Sequence, residues 1–138
     1  MVGIVLISHG HLAEGVLEAA EMVFGDASRQ VAALGLAKNE NPDDFAQRLG
    51  KTIKQLDTGD GVIILADLLG GTPCNKAAPF ASDQVRIVTG MNLVMFLDIL
   101  GSREAGEPFD MARALEAAHS GIADYNALLE EEESDEIL

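Results

Sequence analysis

The stretch Gly3-Ile4-Val5-Leu6-Ile7-Ser8-His9-Gly10-His11 decides the fold. An apolar run rich in β-branched residues stops at Ser8-His9 and is followed at once by glycine. The run does not alternate, so it predicts a strand covered on both faces, as in a parallel sheet with helices above and below. Such a strand delivers the His9 imidazole to its carboxyl end. A second run of the same kind, Val62-Ile63-Ile64-Leu65-Ala66, follows the turn-forming Asp57-Thr58-Gly59-Asp60-Gly61 and ends at Asp67. Two buried strands therefore end in side chains that carry chemistry.

Working outward, Leu12, Val16, Ala19, Ala20, Val23 and Phe24 recur at the spacing of one helical face, and Gly25 is placed to stop that helix. Val31 to Leu36 reads as a strand of weaker preference. Asn41-Pro42 has the form of a helix start, Asn as cap and Pro at the first helical position, with Phe45, Leu49, Ile53 and Leu56 on one face behind it. Thr72-Pro73 repeats that form and predicts a helix from Cys74 to about Ser82, which Pro79 should shorten or kink. Gln84 to Val88 is a fourth strand, closed by Thr89-Gly90. Asn92 caps a helix carrying Leu93, Phe96, Leu97 and Leu100, stopped by Gly101, and Phe109 to His119 forms one more helix ending near Gly121. Ile122 to Leu129 fits a short strand or a helical continuation. Met22, Met91, Met95 and Met111 stand at apolar positions expected in the core, although Met91 and Leu69 suit the soft rim of a site equally well.

Strands alternating with helices imply right-handed crossovers, hence an α/β, doubly wound, mostly parallel sheet with helices on both faces and the flavodoxin-like order 2-1-3-4. In such sheets the site lies outside the carboxyl ends of the strands, where the strand order reverses, here between strands 1 and 3. Those are the strands ending at His9 and Asp67.

At 138 residues the chain is expected to form one domain around one core. No apolar run is long enough to cross a bilayer, no signal-peptide pattern opens the chain, and the single Cys74 suits a reducing compartment, so a cytoplasmic location is expected. A formal charge of −14 with only nine Lys and Arg argues against a nucleic-acid surface. Part of that charge lies in Glu130-Glu131-Glu132-Glu133-Ser134-Asp135-Glu136, which reads as a solvated, frayed tail over residues 130–138 beyond a domain of residues 1–129.

If the two strands are neighbours, Asp67 can accept the Nδ1 proton of His9, fixing the tautomer and leaving Nε2 bare. Held that way, an imidazole is a nucleophile, and the same carboxylate stabilises the positive ring formed when Nε2 gains an electrophilic group. Gly70-Gly71-Thr72 lets backbone come close, at the start of a helix whose free N–H groups suit an anion. Each part has a plainer reading: a polar loop histidine, a turn aspartate, a tight turn with a cap. Their convergence on one crevice favours a site that accepts and releases a phosphoryl group. His9, His11 and Asp67 can also be written as metal ligands, but no further His, Cys or Glu cluster completes such a site, and neither a metal nor a cofactor is expected. His119 reads as a surface residue near a helix C-terminus and Cys74 as a packed small residue.

Ile7-Ser8-His9-Gly10, together with Asp67-Leu68-Leu69-Gly70-Gly71-Thr72-Pro73-Cys74-Asn75 and Thr89-Gly90-Met91-Asn92-Leu93, resembles the three motif regions of the IIA domain of the mannose-type sugar phosphotransferase system (PTS). The resemblance runs from Val2 to about Leu128. It implies a phosphotransferase working through a phosphohistidine: His9 takes the phosphoryl group on Nε2 from the phosphocarrier protein HPr and passes it to a IIB component for coupled sugar uptake. By the same resemblance Asp67 is the hydrogen-bond partner of His9, and Gly70, Gly71, Thr72 and Asn75 surround the phosphate. His11, Leu68, Leu69 and Met91 are then the residues expected to dock partners, although family members often carry tryptophan where this chain has His11 and Leu69. The family further implies a homodimer with an exchanged C-terminal strand, which would give Ile122 to Leu129 a purpose, and contact with the membrane only through the IIC and IID transporter subunits.

The rivals differ by residues. A flavodoxin-like binding module needs aromatics to sandwich a flavin, and the chain has five Phe, one Tyr and no Trp. A histidine phosphatase needs arginine before the histidine, where Ser8 stands, and a P-loop kinase needs a Gly-Lys-Ser/Thr ending that Gly70-Gly71-Thr72-Pro73 lacks. The phosphocarrier subunit of a dihydroxyacetone kinase shares the first strand and its histidine, and the Gly-Gly-Thr-Pro segment favours the sugar branch.

Overall fold

A computed structural model of the chain describes the backbone of residues 1–137 and the side chains of residues 1–133. The elements run β1 (Gly3–His9), α1 (Leu12–Phe24), β2 (Val31–Leu36), α2 (Pro42–Leu56), β3 (Val62–Ala66), α3 (Thr72–Ala77), a 3₁₀ turn (Ala78–Phe80), β4 (Val85–Val88), α4 (Leu93–Glu104), α5 (Met111–Ser120) and α6 (Tyr125–Ile137). The four strands form one parallel sheet in the order β2-β1-β3-β4, as the sequence predicts. Gly3 pairs with Val62 and Ile7 with Ala66. The central strands thus start together, β1 running two residues beyond the last β3 pair, and their polar ends emerge at the same carboxyl edge.

Alternation along the strands builds two cores. Ile4, Leu6, Ile63, Leu65 and Val88 face α1, α4 and α5, while Val5, Ile7, Val62, Ile64, Ala66 and Val85 face α2 and α3. Phe96 fills the first layer and Phe45 the second, both fully buried. Among the described residues no helix is long and apolar enough to cross a membrane.

Caps explain the helix starts. The Asn41 side chain accepts from the Asp43 amide at 2.8 Å with Pro42 behind it, and Asn92 accepts from the Met95 amide at 2.8 Å while donating to the Ala118 carbonyl, which joins α4 to α5.

Three expectations are corrected, and the open reading of the last segment is settled. Gly71, not Thr72, flanks α3, and the α-helix stops at Ala77 because Pro79 lacks an N–H and its ring collides with the preceding turn. Gly101 does not stop α4. Glycine inside a helix costs only about 1 kcal/mol, and Arg103 holds the last turn by donating to the carbonyls of Val2, Gln30 and Arg29. On α1 the buried stripe is Ala13, Val16, Leu17, Ala20 and Phe24, so Leu12, Val23 and Met22 face outward, Met22 at 84% exposure rather than in the core. Ile122–Asp124 is irregular and helix follows from Tyr125, so the segment suggested for an exchanged strand is not a strand in this chain. The acidic run continues that helix, since glutamate is a good helix former, and Glu130 to Glu133 are exposed. Leu138 and the side chains of 134–137, part of the expected tail, lie outside the described residues.

Candidate functional site

His9 is the last residue of β1 and shares the parity of Val5 and Ile7, the face covered by α2 and α3. Its ring lies against the start of α3: a Cβ on Gly71 would stand 2.8 Å from Cε1 and 3.4 Å from Nε2. A side chain at position 71 would make the ring move. Ser8 has the opposite parity and is fully buried toward α1, where its hydroxyl accepts from the Ala13 amide at 2.7 Å. That bond stands in for a cap, since His11 at the cap position makes none with its side chain.

Asp67 follows β3 directly, and its amide donates to the Ile7 carbonyl at 3.2 Å, extending the β1–β3 ladder. Its Oδ2 accepts from the His9 amide at 3.0 Å and lies 2.8 Å from His9 Nδ1. Burial works to raise the Asp67 carboxyl, but the hydrogen bonds from the His9 ring and amide outweigh it and hold the group below its usual range. An ionised carboxylate only accepts, so Nδ1 carries a proton, and in the neutral ring Nε2 is then the bare nitrogen. The His9 side chain is 49% exposed and that of Asp67 only 10%, so the ring is half open to solvent while its partner is shielded. Asp67 Oδ1 is buried without a partner among the described residues, which concentrates the bonding of this pair on Oδ2.

The adjoining turn is held by its own atoms. Gly70 adopts φ +81°, the Gly71 amide donates to the Leu68 carbonyl at 3.2 Å, and Asn75 Nδ2 donates to the Gly70 carbonyl at 3.0 Å. Asn75 thus braces the turn. Thr72 opens α3, and the Thr72 and Cys74 amides, in its first turn, have no intrahelical acceptor. Of the residues expected at the rim, His11 is 93% exposed with Nδ1 3.3 Å from Glu14, and Leu68 and Leu69 are exposed at 56% and 77%. Met91 is not at the rim: its amide donates to the Ala66 carbonyl at 2.9 Å and its side chain turns into the core shared with Met95 and Phe96. Among the described residues no group of three His, Cys, Asp or Glu side chains is placed to hold a metal ion.

A family model described as EIIA-man, PTS system fructose IIA component, matches residues 3–114. The chain belongs to this PTS IIA family. It is 30% identical over 125 residues to the mannose-specific EIIAB component of Escherichia coli (strain K12), a match covering 88% of this chain and 38% of that protein, so the chain spans well under half the length of that relative. It is also 30% identical to the sorbose-specific EIIA component of Klebsiella pneumoniae, covering 87% and 88% of the two chains. Among solved structures, the PTS IIA protein associated with the fucose utilization operon of Streptococcus pneumoniae superposes with a TM-score of 0.84 at 31% identity, covering 94% of this chain and 99% of that one. This chain is accordingly a PTS IIA component of the mannose, fructose and sorbose type, from a family of phosphotransferases.

Ser8 was not singled out from the sequence, and Gly71 has a role beyond the one expected of it. Ser8 reads as the end of a strand, and its alternation with His9 is the only signal that it turns toward α1. Gly71 reads as part of an anion loop, whereas in the structure it is also the wall against which the imidazole rests.

Proposed function

We propose that this PTS IIA component is a phosphoryl carrier, taking the group from phosphorylated HPr onto His9 Nε2 and passing it to a IIB component for coupled sugar uptake. The observation that carries the reading is the 2.8 Å His9–Asp67 pair, which leaves Nε2 bare beside Gly71. Nε2 attacks phosphorus in line as the P–N bond to the donor histidine breaks and a P–N bond to His9 forms. The donor ring keeps the electron pair it recovers. Nδ1 keeps its proton throughout, and the charge that develops on the ring faces the Asp67 carboxylate. The second transfer reverses these roles. Beyond positioning and charge complementarity the chain supplies little, because the partner completes the site while docked.

In this reading Gly70, Gly71 and Thr72 flank the phosphoryl oxygens with backbone, Asn75 holds their turn, and His11, Leu68 and Leu69 form the rim on which both partners dock. A domain of residues 1–129 acts in the cytoplasm as a homodimer and meets the membrane only through the transporter subunits. The test is incubation with phosphoenolpyruvate, enzyme I and HPr, followed by intact mass. One acid-labile, base-stable phosphoryl group per chain is expected on the wild type and none on a folded His9→Ala variant. Full labelling of that variant would refute the assignment.

A further inference from the structure

The turn after His9 is not self-supporting. Gly10 adopts φ +55°, its amide donates to the Leu36 carbonyl at 2.8 Å, and its carbonyl oxygen occupies space that a side chain on β2 would need. A Cβ on Gly35 would stand 1.8 Å from that oxygen and 3.0 Å from its carbon. Register makes this unavoidable: Ser8 pairs with Gly35 and His9 with Leu36, so the chain leaving β1 crosses the end of β2 through the notch where a side chain is missing. Both sides of the clash are backbone. Any other residue at position 35 must push the Gly10 carbonyl away by roughly 1.5 Å to restore ordinary van der Waals separation, or part the two strands.

Behind the notch β2 is fastened to α2. The Gly35 carbonyl accepts from Arg48 Nη2 at 2.9 Å, and the same guanidinium is gripped by Glu40 through two further bonds of 2.9 Å. Glu40 Oε1 also accepts from the Ala37 amide at 3.2 Å, closing the loop from β2 onto the clamp. Arg48 thus fixes the Gly35 carbonyl, and Glu40 holds Arg48 and the Ala37 amide in place behind it. None of them touches the imidazole.

We propose that Gly35, with the Arg48–Glu40 clamp behind it, positions His9: β2 holds the Gly10 turn where the amide and ring nitrogens of His9 both converge on Asp67 Oδ2. Gly35 and Arg48 are positioning residues in this scheme, acting through backbone. The tolerance is narrow, because a displacement of 1 Å at Gly10 shared into the adjacent His9 takes the 2.8 Å and 3.0 Å contacts out of hydrogen-bond range. The consequence for transfer rests on the reading of His9 as the phosphoacceptor, whereas the geometry of the ring does not.

The experiment compares full-length wild type, Gly35→Ala and Arg48→Gln by thermal unfolding, by ¹⁵N resonances of the His9 ring and its Nδ1 proton, and by transfer from phosphorylated HPr. Gly35→Ala is expected to weaken or abolish the hydrogen-bonded Nδ1 proton signal and to lower the saturated transfer rate about tenfold or more, with the HPr concentration for half-maximal rate changing less than about twofold. Arg48→Gln keeps a donor but loses the fork, and gives a smaller change in the same direction. A folded Gly35→Ala with the wild-type ring spectrum and rate overturns the proposal, and if that variant does not fold, the same two readings on Arg48→Gln decide. Should the wild type accept no phosphate, the carrier reading fails while the ring spectra still decide the positioning role.

Discussion

Replacing Asp67 by Asn separates the charge of the His9 partner from its shape. Asp67 Oδ2 serves two donors, the His9 amide and ring, while Oδ1 is buried with no partner among the described residues. An asparagine that keeps its oxygen toward both donors places its NH₂ where Oδ1 was, so one buried polar atom goes unmet in either protein. The difference therefore falls on the Oδ2 end, where two charge-assisted bonds of about 1.5–3 kcal/mol become neutral ones of about 0.5–1.5 kcal/mol. A loss near 2 kcal/mol in folding stability follows, lowering Tm by about 6 °C for a domain of this size. For transfer, the lost term is the attraction between the carboxylate and the ring as it becomes positive. The His9 side chain is 49% exposed, so solvent screens that attraction and the low end of the range applies, about 1.4 kcal/mol or tenfold in rate.

Acidity gives a second arm. The Asp67 carboxyl is held below its usual range by the His9 bonds against the opposing pull of burial, so the folded form binds its proton later than the unfolded form as pH falls. Its contribution is present in full above the unfolded-state value near pH 4 and is lost as pH drops through the lower folded-state value. Urea unfolding of wild type and Asp67→Asn should show the full gap at pH 7 and a shrinking gap toward pH 3. A gap independent of pH, or a transfer rate for Asp67→Asn equal to wild type in rapid-quench assays, refutes the electrostatic role assigned to Asp67.

Gly71→Ala places a methyl 2.8 Å from His9 Cε1, so the ring must retreat by about 0.7 Å or more to reach normal contact; transfer should fall about tenfold with little loss of Tm, and an unchanged rate would show that the wall is not needed. Leu69→Asp, at a side chain 77% exposed, should leave Tm within about 1 °C and weaken HPr binding in titration calorimetry severalfold. Gly101→Ala meets open space inside α4 and should raise stability by about 0.5–1 kcal/mol in denaturant melts; destabilisation would mean that the helix needs the glycine for packing.

The sheet was legible because unbroken apolar runs such as Val62 to Ala66 have few alternatives to a strand buried on both faces, and because Asn41-Pro42 marks a helix start with two independent signals. The His9–Asp67 pairing followed from strand order alone. What stayed hidden depends on tertiary packing. The buried face of α1 is built from Ala13 and Ala20, whose small side chains admit close approach yet weigh little in an apolar pattern, so Met22 read as core. Arg103 carries α4 past Gly101 by reaching three carbonyls in the segments that lead into β1 and β2, contacts between residues far apart in the chain that no local pattern encodes. Gly35 read as a weak strand residue for the same reason, since its importance lies in what Gly10 needs.

Strand parity ties these points together. Ser8 and His9 are adjacent yet serve opposite layers, one fastening the start of α1 and the other resting on α3. A slip of one residue in the register of β1 would send the imidazole toward α1 and the hydroxyl toward Gly71, and would turn Ile4 and Leu6 onto the wrong core. The register of β1 therefore also fixes the direction of the imidazole. The chain can afford a half-exposed histidine at the strand end because the five fully buried side chains from Ile4 to Ser8 anchor β1 between its two layers.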